Sequence, residues 1–105
     1  MIEDGHAVHY TAVKRGIPVY GSDEQEVGKV VEVLDNYREH IMDGVVFETS
    51  DGVRRFVDAP EVARTAELAV TLTIPAAEAA TLPPPEPRSR MSGSVKRLFG
   101  GLRRR

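Results

Sequence analysis

Three absences bound what this chain can be. Cysteine is missing altogether, which removes a disulfide framework and thiolate chemistry and fits the cytoplasm. No apolar run approaches the roughly 20 residues of a membrane-spanning helix. The opening "MIEDGHAVHY" has no apolar stretch behind a basic start, so a secretory leader is not expected. The third absence is local. Residues 88–105 contain none of the 16 acidic residues but seven of the 14 Lys and Arg, so they carry +7 while residues 1–87 carry −9. A split of this kind points to two segments with different partners.

What remains suits one globular domain. The chain has 105 residues, 41% hydrophobic and 29% charged, too apolar for a disordered chain. Four prolines in "LPPPEP" (Leu82–Pro87) form an extended spacer that neither helix nor sheet continues through. The expected organisation is an N-terminal segment or edge strand at 1–15, a domain at 16–81, a Pro-rich linker at 82–90 and a tail at 91–105.

The domain reads as short strands. In "ELAVTLTI", Leu68, Val70, Leu72 and Ile74 alternate with Ala69, Thr71 and Thr73, the period of a half-buried strand. "GKVVEVLD" and "GVVFET" are short, β-branched and buried in character. "SDG" (Ser50–Gly52) predicts a hairpin into "VRRFVD". "HAVHYTAV" predicts a further strand, while "PEVART" and "IPAAEAATL" each predict a helical turn, the second beginning near Pro75. Five to six short strands make the fold mainly β, a small barrel or sandwich. Its size and its apolar runs lead to the expectation of a symmetric homodimer.

"GSDEQEVG" (Gly21–Gly28) reads as a structural turn, with Gly21 and Gly28 supplying backbone freedom and Asp23, Glu24 and Glu26 keeping it wet. Its ligand spacing is wrong for calcium. His6 and His9 would fall on opposite faces of a strand, and His40 is distant, so no metal site is expected. Asp43, Asp51 and Asp58 sit at expected strand ends, where Asp caps turns. No nucleophile elbow and no phosphate loop is present. The chain therefore reads as a non-enzyme without a cofactor.

With these elements placed, "GIPVYGSD", "EVGKVVEVLD", "DGVVFE" and "RRFVD" resemble the PRC-barrel family over about Gly16 to Ile74. This is the β-barrel of the reaction centre H subunit and of the C-terminal domain of a small-subunit ribosome maturation factor. The stretch with Val19, Gly28, Val30 and Asp35 is the specific part. The family often has Asp-Gly in the first turn, where this chain has Asp23–Glu24. The resemblance implies a small bacterial-type barrel used for assembly and protein–protein contact rather than catalysis.

The tail has its own pattern. Met91, Val95, Leu98, Phe99 and Leu102 share one face of a helix that Ser92 or Ser94 can cap. Arg88, Arg90, Lys96, Arg97, Arg103, Arg104 and Arg105 supply its charge. Gly93, Gly100 and Gly101 each cost about 1 kcal/mol of helix stability, so the segment is expected to be flexible when alone. Three readings follow: a basic amphipathic helix on an anionic membrane at the inner face, a phosphate-binding arm for RNA or DNA, as in a ribosome-associated assembly factor, and a solubilising tail or one that folds back on the acidic barrel. The aligned apolar residues favour the membrane.

Overall fold

The computed structural model describes residues 2–36, 38, 39 and 41–85. Among these residues six strands form one mixed sheet: β1 (Pro18–Tyr20), β2 (Glu26–Asn36), β3 (Ile41–Thr49), β4 (Arg54–Asp58), β5 (Val62–Thr65) and β6 (Val70–Leu72). Their spatial order is β4-β3-β2-β1-β6-β5. All neighbours are antiparallel except β1 and β6, which run parallel with Val19 beside Val70.

The sheet is coiled but not closed. Laid flat, six strands would separate β4 from β5 by about 24 Å. Yet the chain passes from Asp58 to Val62 through a single 3₁₀ turn, Ala59–Glu61, a link of at most about 14 Å. Strong twist must bring the two edges towards each other at that end. No β4–β5 pairing occurs among the described residues, so closure into a barrel is not observed.

Strand alternation sorts the apolar residues onto two faces. Inside the coil lie Val19, Val30, Val45, Phe47, Val57, Val70 and Leu72, closed at one end by Ala79 of the short helix α1 (Ala76–Ala79). Outside, Val31, Leu34 and Val46 form a second cluster under Phe56. Val30 and Val31 serve different clusters by this alternation, and the bulge between Val30 and Glu32 leaves Val31 and Glu32 together opposite Val46.

Several sequence expectations need correction. Leu68 does not point inward with Val70 and Leu72: it is 56% exposed, while Ala69 is buried. β6 begins only at Val70, because Ala66–Ala69 is a tight turn closed by the Ala66 N–H donating to the Ala69 carbonyl. "HAVHYTAV" gives one bridge, Ala7 to Ala66, and a 3₁₀ turn at Tyr10–Ala12 instead of a strand. "PEVART" supplies the 3₁₀ turn Ala59–Glu61 but then becomes β5. The expected turn at Pro75 is α1.

Gly28 is not at the end of a turn. It lies two residues inside β2, flanked by Val19 of β1 and Thr49 of β3. Nor does it have positive φ. Its requirement is steric: a Cβ there would sit 2.2 Å from the Glu48 carbonyl oxygen. Gly21 does belong to the turn and serves a close approach too, since a Cβ would stand 2.3 Å from the Ala76 backbone nitrogen. The left-handed residue of this turn is Glu24, at φ 65°.

Candidate interaction surface

Both edges of the sheet have covers, and the covers differ. Beside β5 runs the N-terminal segment. The Val8 N–H donates to the Thr65 carbonyl at 3.0 Å, and the Thr65 hydroxyl returns a bond to the Val8 carbonyl at 2.6 Å. Further along, Glu67 and Leu68 donate to His6 and Asp4. The Arg64 guanidinium clamps the Asp4 carboxylate through Nε at 2.7 Å and Nη2 at 3.3 Å. This hydrogen-bonded pairing holds the Asp4 carboxyl below its ordinary value.

Beside β4 lies the start of the proline segment. The Phe56 N–H donates to the Pro83 carbonyl at 2.9 Å, and Arg55 Nη1 donates to the Leu82 carbonyl at 2.8 Å. Leu82 and Pro83, expected to open the linker, are thus tied to the sheet. Arg55 Nη2 also lies 3.6 Å from Asp51. That carboxylate accepts from the Thr49 hydroxyl and the Val53 N–H, which lower its pKa and fix the hairpin turn, where Gly52 takes φ 83°.

Of the three aspartates expected at turns, only Asp51 caps one in this way. Asp43 lies within β3, and Asp58 precedes the Ala59–Glu61 turn without a capping bond. Asp23 has a function the sequence reading missed. Its Oδ1 accepts from the Ala76 N–H at 3.2 Å, capping α1 from a distant loop. Only the fold could reveal a pair 53 positions apart.

The β4 cover also forms one wall of a groove of about 290 Å³. Ile74 and Leu82 supply its apolar side chains, and Asp58, Glu61 and Glu78 its acidic ones. Glu61 accepts from the Thr73 hydroxyl. None of the three carboxylates has an ion-pair partner among the described residues. A second, shallower cavity of about 420 Å³ lies over Gly28, between Lys29 and Glu48. It contains its own cation, because Lys29 Nζ is 2.8 Å from Glu26.

His6 and His9 are exposed, and the His9 Nδ1 accepts from the Thr11 N–H at 3.3 Å. No group of three or more potential metal ligands occurs among the described residues. No described helix is long and apolar enough to cross a membrane. His40 and all the tail positions singled out above, from Arg88 to Arg105, lie outside the described residues. No family model matches the chain, and no curated protein matches it at a significant level.

Proposed function

We propose that this protein is a non-catalytic interaction module of the PRC-barrel type, whose basic tail docks on an anionic membrane surface from the cytoplasmic side. The observation that carries the reading is where the charge divides. The chain is tied to β4 up to Pro83, and from Arg88 onward every charged residue is a cation. Near an anionic surface each such cation contributes about 1 kcal/mol. Apolar side chains entering the interface add roughly 1 kcal/mol each, partial burial keeping them below the full-burial value. The barrel part of the reading draws on the Gly16–Ile74 pattern and on the short link that curls the sheet. The non-catalytic part draws on Asp51, whose carboxylate is engaged in a turn.

Co-sedimentation of the full chain with vesicles tests this. Vesicles containing anionic lipid should bind it, and neutral vesicles should bind it poorly. Leu98→Ser with Phe99→Ser, all charges kept, should lower that binding about tenfold or more. An unchanged double variant would leave a charge-only tail. Salt-sensitive RNA binding that ignores the double substitution would instead favour the nucleic-acid reading.

A further inference from the structure

We infer that the groove between β4, the Ala59–Glu61 turn and α1 is the resting site of the chain's own tail, occupied by Leu98 and Phe99 with Lys96 and Arg97 against its rim.

Three observations choose this occupant. The first is position. Leu82, Pro83 and Pro84 line the groove, so the chain leaves from its wall. Arg88 follows Pro85 by three residues, within about 10 Å of chain. A segment delivered so close has a millimolar effective concentration, enough to populate a weak contact. The second is charge. Asp58, Glu61 and Glu78 face the groove without a cation among the described residues, and the tail is the chain's one all-cationic segment. The third is size. At about 290 Å³ the groove has room for a pair of large side chains. Ile74 and Leu82, with Pro83 and Pro84 beside them, match such a pair in polarity. The cavity over Gly28 is a poorer fit, since Lys29 already answers Glu26 there.

The contact rests on these features alone; its consequence rests on the membrane reading. Leu98 and Phe99 cannot lie in the groove and in a lipid interface at once. The groove therefore competes with the membrane, and membrane affinity falls by the fraction of tails left free. A groove about three-quarters occupied weakens membrane binding about fourfold.

The absence of cysteine makes the test direct. Ser94→Cys in the full chain carries a nitroxide, and amide signals are read by NMR without vesicles. Val57, Asp58, Glu61, Glu78 and Leu82 should broaden selectively, and about 0.5 M salt should restore them. Asp58→Asn with Glu61→Gln and Glu78→Gln should also restore them, leaving the Val45 and Val70 amides unmoved as a check on folding. Uniform broadening, none, or broadening centred on Gly28 and Thr49 overturns the proposal. So does broadening that a labelled chain induces in a separate, isotope-labelled copy, which would make the occupant another molecule. With anionic vesicles, the triple variant should bind about fourfold more tightly than the parent. Selective broadening with no vesicle binding by any variant would sink the membrane reading and leave the groove. Vesicle binding without broadening would do the reverse.

Discussion

The two edges of the sheet solve one problem by different means. An unpaired edge strand is a template for any extended chain. At β5 the cover exchanges bonds in both directions and is pinned by a bidentate ion pair. At β4 the cover only accepts, because Pro83 has a carbonyl but no N–H to donate. A proline cover cannot pass the ladder outward, so the strand stack stops there. The first device is electrostatic and depends on pH. The second is chiefly steric, with one polar tie through Arg55, itself beside the Asp51 carboxylate.

Gly28→Val should have the largest effect. It sits between the two halves of the sheet, and the new side chain would meet the Glu48 backbone, which cannot yield without breaking the ladder. A loss of about 2–3 kcal/mol is expected from urea unfolding. Hydrogen exchange should accelerate at both edges alike. Acceleration at one edge only would mean that the halves of the sheet open independently.

Arg55→Ala acts on the β4 edge alone. Losing the bond to Leu82 should cost about 1 kcal/mol. Exchange of the Phe56 amide should quicken while Leu68, whose N–H donates to Asp4, keeps its rate. Equal quickening of both would dissolve the distinction between the covers.

Asp4→Asn tests the other edge. The folded-state pKa of Asp4 is lowered by Arg64. The stability it contributes is therefore present above the ordinary carboxylate range and fades as pH falls through the lowered value. Melting temperature against pH should slope less steeply on the acid side in the variant than in the parent. Identical slopes would show that the clamp is idle.

Away from either edge, the smallest effect is expected at Glu24. Its φ of 65° is strained for a residue with a Cβ. Relief of that strain opposes both the extra freedom glycine gains when unfolded and the loss of the Glu24 side chain's own interaction, so Glu24→Gly should change stability by no more than about 0.5 kcal/mol. A larger loss on substitution would show that the Glu24 side chain matters more than its backbone.

What could be read from the sequence was local. The Ser50–Gly52 turn was legible because glycine at φ 83° and a capping aspartate are short-range chemistry. The cores of β2 and β3 were legible because runs of valine leave few alternatives. Leu68 misled because alternation records polarity, and a leucine beside a tight turn keeps the pattern without the strand. Gly28 reads as a turn residue because a glycine does not announce whether it serves φ or close packing. The acid-rimmed groove was hidden for a plainer reason: Phe56, Glu61, Ile74, Glu78 and Leu82 come from separate elements that only the coil of the sheet collects.

The parallel contact of β1 with β6 sets the order in which the molecule can assemble. β2, β3 and β4 pair with their sequence neighbours, down to Asn36 beside Ile41. Val19 must instead find Val70, 51 positions away. Closing a loop that long costs about 3.5 kcal/mol of chain entropy before any contact repays it. The four-stranded meander β1 to β4 is thus the natural nucleus, and β6 arrives late. Trimming Val45 should slow folding, whereas trimming Val70 should chiefly hasten unfolding. On the ribosome, the meander would leave the exit tunnel first and wait, its inner face bare, for the strand that closes it.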